Sequence, residues 1–205
     1  MNNSQILADK NLYEKKYAAG RSNLLVMIAF TLINVVMCLF KSTSYFLFSA
    51  QFPYYLVYAS MWWGGKMPDE AYIESFGETK EEFAFLPHSV YVAFVVLAFA
   101  VILFYVCCWI FSKYRSGWLT TALVLFILDT LMMALLILSS FEVSALVDLA
   151  FHIWMIVYLV NGVSAARKLA KLPDIPDDPE VEVAVEEPAP VSSLNGEATT
   201  TDTQE

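Results

Sequence analysis

Two titratable side chains lie four positions apart in an otherwise apolar stretch, Asp148 and His152 in "VDLAFHIW". In a helix this spacing places both on one face. A third group, Asp129 in "LFILDTLMM", belongs to a neighbouring apolar stretch. A carboxylate beside an imidazole can hold or pass a proton, since imidazole titrates near neutral pH. Zinc binding is less favoured, because no second histidine accompanies His152 and His88 lies too far along the chain.

The stretches that carry these residues are long enough to cross a lipid bilayer. The chain is 58% hydrophobic and only 16% charged, and a hydrocarbon core about 30 Å thick needs about 20 apolar residues as helix. A soluble bundle is disfavoured, because "VYVAFVVLAFAVILFYVCCWIF" has no polar stripe. The sequence therefore predicts an all-α integral membrane helical bundle with four transmembrane helices. The predicted spans are 24–40, 89–111, 118–139 and 143–163.

The basic residues predict which way the helices lie in the membrane. With four spans, nine lysines and arginines fall on one side and three on the other. The richer side is expected to be cytoplasmic. We therefore predict a multipass protein of the cell (plasma) membrane with both termini in the cytoplasm.

An aromatic segment, residues 45–63, could alter that count. It is uncharged, and nine of its 19 residues are aromatic. If it crossed, the basic residues would divide six and six. Because Tyr and Trp favour the membrane–water interface, we predict an interfacial or re-entrant segment, with Pro53 starting a helix in its second half. The outer loop covers 41–87, and its part after the aromatic segment is expected to hold a short solvated helix.

The two ends of the chain differ from the 23–166 transmembrane domain. Residues 1–22 form a basic amphipathic segment, expected on the inner leaflet. Residues 167–205 begin with basic residues and continue as an acidic tail predicted to be disordered and cytoplasmic. Residues 172–205 hold ten of the 21 acids and no Lys or Arg, so they account for the net charge of −9. The acidity therefore does not indicate a substrate, and no nucleic-acid partner, cofactor or metal is predicted.

The stretch "RSNLLVMIAFTLINVVMCLF…TSYFLFSAQFPYYL" resembles the start of a group of uncharacterised multipass membrane proteins of Gram-positive bacteria. The similarity covers about the first 65 residues and rests on an "S-x-x-YFLFSA-x-x-PYYL" pattern. The resemblance implies a helical protein of a bacterial inner membrane. It contains no catalytic motif, so no residue takes a role from it.

A tight turn between the last two spans would bring Asp129 within about half a helical turn of His152. Asn34, Thr130 and Asn161 could extend this polar cluster. A charged Asp at mid-membrane costs about 2.5–3.5 kcal/mol on insertion scales, so pairing of Asp129 with His152 is expected.

Three functions follow from these residues. The sequence favours a non-enzymatic accessory or assembling component, in which the cluster Asp129, Asp148 and His152 fixes helix packing. Its partners would be the lipid bilayer and a membrane protein or a second copy of the chain. The alternative is a small proton- or cation-coupled transporter that uses the Asp–His pair. A membrane-embedded enzyme acting on lipid is less favoured, because no nucleophile–base pair is evident.

Overall fold

The computed structural model describes residues 3–42, 44–140 and 143–173, and this part of the chain is helical without a strand. The predicted disorder of the acidic tail concerns residues 174–205, which lie outside the described residues. A 3₁₀ turn covers Lys80–Glu82. The α-helices are α1 (Asn3–Leu39), α2 (Gln51–Trp63), α3 (Asp69–Phe76), α4 (His88–Phe111), α5 (Gly117–Ser140) and α6 (Val143–Leu169).

Four of these helices, α1, α4, α5 and α6, are long and apolar enough to cross a membrane. Many of their large apolar side chains are exposed, as Leu103 on α4 and Leu128 on α5 show. Exposed leucine at this density suits lipid rather than water as the surrounding medium. The prediction of an all-helical membrane protein with four spans is confirmed.

Helix α1 is continuous over 37 residues, where the sequence predicted a basic segment over 1–22 and a separate span. The basic half packs on the bundle. Tyr17 Oη donates to the Ser112 carbonyl oxygen at 2.5 Å, and Arg21 Nε donates to Ser112 Oγ at 2.9 Å. Gly20 permits a close approach to α6, since a Cβ there would lie 3.1 Å from Gly162 Cα. The junction contains no proline, so nothing in the backbone breaks the helix.

The connections between helices define two ends of the bundle. We call the end where α4 ends and α5 begins the proximal end. The opposite end, where α1 ends and α4 begins, is the distal end. Because α1 and α6 run antiparallel, the start of α1 and the end of α6 both belong to the proximal end.

Between α1 and α4 the chain dips into the bundle and returns. After a turn at Lys41, with φ 59°, residues 44–50 lead into the bundle, and we call them the descending chain. At its end the Ala50 amide donates to Thr31 Oγ1 on α1 at 2.7 Å. Helix α2 then leads back to the distal end, where the Leu86 amide donates to the Trp63 carbonyl at 2.8 Å. With 13 residues α2 is about 20 Å long, too short to cross. The aromatic segment is therefore re-entrant. Its helix begins at Gln51, two residues before the predicted start at Pro53, which lies in the first turn.

Candidate intramembrane polar site

Asp129 caps the N-terminus of the re-entrant helix. The residue before α2, Ala50, has no side-chain oxygen with which to cap it. Asp129, near the middle of α5, supplies both acceptors: Oδ2 accepts from the Gln51 amide at 2.9 Å, and Oδ1 accepts from the Phe52 amide at 2.5 Å. These amides belong to the first turn of a helix and have no partner within it. One carboxylate therefore satisfies two backbone donors in the middle of the bundle.

This cap also offsets the cost of a buried charge. The Asp129 side chain is only 3% exposed, and an ionised carboxylate at that depth needs compensation. The N-terminus of α2 carries about half a positive charge from its aligned peptide dipoles. Two amide donors and this dipole therefore act together on one carboxylate and offset the cost of burying it.

His152 lies beside this carboxylate, with Nε2 3.4 Å from Asp129 Oδ2. Its Nδ1 lies 2.9 Å from the Asp148 carbonyl oxygen. A carbonyl only accepts, so Nδ1 carries a hydrogen, and in the neutral ring Nε2 then presents a lone pair. The imidazole is also stacked on Phe126, with ring centroids 5.0 Å apart and planes 3° apart. Ring orientation is therefore fixed by two neighbours.

His152 and Asp129 lie close together without forming a hydrogen bond. Nε2 is 3.4 Å from Asp129 Oδ2 and is buried with no hydrogen-bond partner. A proton on Nε2 would make the two groups a buried ion pair at this distance. The arrangement is therefore a close Asp–His contact in the middle of the bundle.

Asp148 faces the distal side of this pair and does not bond to it through its carboxylate. Its Oδ1 is buried without a hydrogen-bond partner. Its nearest electrostatic neighbours are His152 and Tyr45, a residue of the descending chain. Burial raises the pKa of the Tyr45 hydroxyl, so this group stays neutral and can donate. Tyr45 also contacts Ser49 Oγ at 2.8 Å and accepts from the Gln51 side-chain amide.

The further polar residues of the predicted cluster have separate roles. Asn34 binds the backbone of the descending chain, donating to the Phe46 carbonyl at 2.7 Å and accepting from the Phe46 amide at 2.8 Å. It also donates to Ser49 Oγ at 2.8 Å. Thr130 donates to the Phe126 carbonyl of its own helix, and Asn161 is exposed. The prediction that Thr130 and Asn161 extend the cluster is therefore wrong, since neither side chain is directed at it.

Sequence reasoning missed Thr31, Tyr45, Ser49 and Gln51 as members of this site. Thr31 Oγ1 accepts from the Ala50 amide and donates to the Met27 carbonyl at 2.8 Å. The only available signal was spacing: Thr31 and Asn34 share one face of α1 at i, i+3. Two polar residues on one face of α1 indicate a polar partner. The spacing does not indicate that this partner is the backbone of residues 46–50.

The described part of the chain contains no group of three or more His, Cys, Asp or Glu side chains placed to hold a metal ion. No family model, curated protein or solved structure matches this chain. The interpretation of the polar site therefore depends on its own geometry.

Proposed function

We propose that the protein is a non-enzymatic accessory or assembling component of the membrane, whose intramembrane polar residues hold the re-entrant segment in place. The proposal depends on the groups that Thr31, Asn34 and Asp129 bind. All three bind backbone groups of residues 46–52 rather than one another. Without water in the bilayer core, these backbone groups need protein partners.

Buried apolar side chains on the proximal side of the polar site support a structural role. Side chains from three helices pack here and are fully buried. They are Leu24 and Met27 of α1, Phe126 of α5, and Met155 and Leu159 of α6. A hydrated path between α1, α5 and α6 would have to displace them. Their packing therefore favours anchoring over conduction between these three helices.

Helix α4 offers the surface through which such a component would meet a partner. Few residues of α4 are buried, and Val96 and Leu103, seven positions apart on one face, are 60% and 63% exposed. The partner would be another membrane protein or a second copy of this chain.

The proposed location is the cell membrane, with both termini in the cytoplasm. Lys and Arg support this orientation, because residues 10–21, 113–115 and 167–171 all lie toward the proximal end and contain nine of the 12 basic residues. The resemblance of the first 65 residues to multipass proteins of Gram-positive bacteria agrees with such a membrane.

Photocrosslinking tests the assembly role. A photoreactive amino acid at Leu103 is expected to give a discrete protein adduct in native membranes. Val157 on α6, which is 49% exposed, provides the matched lipid-facing control. Adducts with lipid alone at both positions would argue against the proposal.

The buried contact between His152 Nε2 and Asp129 Oδ2, 3.4 Å apart, favours a second candidate, a small proton- or cation-coupled transporter. Purified protein in vesicles with a pH-sensitive dye separates the two. The accessory role predicts no proton flux above that of protein-free vesicles. Flux that Asp129→Asn abolishes, while thermal unfolding shows a folded variant, would replace the first proposal with the second.

A further inference from the structure

A cavity of about 660 Å³ opens at the distal end, against the second half of α2 and away from the polar site. Its size is within the range of small-molecule sites. Aromatic rings form most of its wall. The wall includes the rings of Trp62, Tyr72, Phe76, Phe83 and Phe85, and Ala84 also lines the cavity.

The wall of this cavity is preformed. Tyr72 is 2% exposed, and its hydroxyl donates to the Trp62 carbonyl at 2.7 Å. Its ring contacts the rings of Trp62, Phe83 and Phe85 at centroid distances of 4.9–5.6 Å. At Gly65, with φ 66°, a Cβ would lie 2.9 Å from the Phe85 ring, so only glycine allows the chain to turn this close to the wall. A ligand would therefore meet rings already in position.

The segment that supplies the wall is strongly acidic. Between residues 69 and 82 it carries six acids, all exposed, and one lysine, Lys80. Lys80 is already engaged: its ammonium donates to the Met67 carbonyl at 3.1 Å and lies 3.8 Å from Asp69 Oδ1. Because these acids alternate along the chain with the wall residues Tyr72, Phe76 and Phe83, the segment that borders the cavity, which we call its acidic mouth, has an excess of negative charge.

One aromatic ring of the wall, that of Tyr72, already has an ammonium group beside it. Lys80 Nζ lies 5.9 Å from the centroid of the Tyr72 ring, within the range of a cation–π contact. Aromatic faces carry partial negative charge, and they bind ammonium groups more strongly as water is excluded. Apolar rings and surrounding acids thus favour the same chemical class.

We propose that this cavity binds an amphipathic cation, with an ammonium group directed at the acidic mouth and an apolar body against the rings. An anionic amphiphile of equal size meets repulsion at the mouth. A neutral one gains only the apolar contacts. The proposal is independent of the accessory role, and failure of one leaves the other standing.

Short soluble probes test this proposal on the full chain in maltoside micelles. Hexyltrimethylammonium is expected to bind saturably in titration calorimetry and to alter tryptophan fluorescence. Hexyl sulfate and hexyl glucoside, with the same alkyl chain, are expected to bind at least tenfold more weakly. Equal binding of the three probes, or no saturable binding of the ammonium probe, would overturn the proposal.

Two kinds of variant locate the binding. Ala84→Trp fills the cavity and should reduce ammonium binding at least tenfold, and it avoids the loss of packing that Phe83→Ala brings. Combined substitution of Glu74, Glu78, Glu81 and Glu82 by Gln should remove the preference for ammonium over sulfate. Combined substitution of four tail acids by Gln makes the same charge change elsewhere and should leave that preference intact; these are Glu180, Glu182, Glu186 and Glu187. Unchanged binding in Ala84→Trp, or equal effects of the two charge changes, would contradict the assignment.

Discussion

Nε2 of His152 lies 3.4 Å from Oδ2 of Asp129, in the middle of the membrane-spanning bundle. The other ring nitrogen donates to the Asp148 carbonyl, so in the neutral ring Nε2 presents a lone pair to the carboxylate. At the same time Asp129 caps α2 through two amides. One carboxylate therefore contacts both the start of the re-entrant helix and a buried histidine.

Asp129→Asn should destabilise the protein by about 1–3 kcal/mol. The amide group of Asn can accept from only one of the Gln51 and Phe52 amides, and its NH₂ faces the other donor. Thermal unfolding in detergent measures the loss. Asp148→Asn is the matched control, and because Asp148 Oδ1 is buried without a partner, stability should stay unchanged or rise. Equal losses in the two variants would contradict the capping role.

The protonation of His152 can be observed directly by nitrogen NMR on histidine-labelled protein in bilayers. The chain has two histidines, so His88→Gln leaves the signals of His152 alone. We expect Nδ1 to carry a hydrogen in every form, because it donates to the Asp148 carbonyl. A neutral ring with hydrogen on Nε2 and a bare Nδ1 would contradict the hydrogen bond from Nδ1 to the Asp148 carbonyl.

Asn34→Leu should release the descending chain from α1. It removes three hydrogen bonds to Phe46 and Ser49, and at about 0.6 kcal/mol each in a membrane the loss is about 2 kcal/mol. Hydrogen exchange over residues 45–52 should become faster. The control is Asn23→Leu, since Asn23 donates only to the Ala19 carbonyl of its own helix. If exchange rises equally in both variants, Asn34 does not hold this segment.

The sequence was sufficient for the four spans and insufficient for the re-entrant contact. Apolar length alone decides a span, because lipid leaves the backbone no other partner. A short turn likewise brings Asp129 near His152 by helix geometry. The partners of Asp129 are amides of Gln51 and Phe52, however, and every residue has such a donor. Backbone amides cannot be recognised from residue type, so only the three-dimensional structure shows which helix N-terminus the Asp129 carboxylate caps.

Gly162→Ala should destabilise the packing of α1 on α6, even though Ala favours a helix by up to about 1 kcal/mol over Gly. The new Cβ would lie 3.2 Å from both Gly20 Cα and Leu119 Cδ2. Gly117→Ala is the control, because a Cβ there meets nothing within 4 Å, and it should keep or raise the unfolding temperature. A rise of the same size in both variants would show that α1 can shift without cost.

Helix α1 is unbroken, so a tilt about the Gly20–Gly162 crossing would move both of its ends. The basic residues Lys10, Lys15 and Lys16 lie on one side of this crossing, and Asn34, which is hydrogen-bonded to the descending chain, lies on the other. Asn34 is about 21 Å from Gly20 along the axis, so a tilt of roughly 5° moves it by about 2 Å. That displacement is enough to break its hydrogen bonds. A tilt at the basic end of α1 would therefore break hydrogen bonds at its far end.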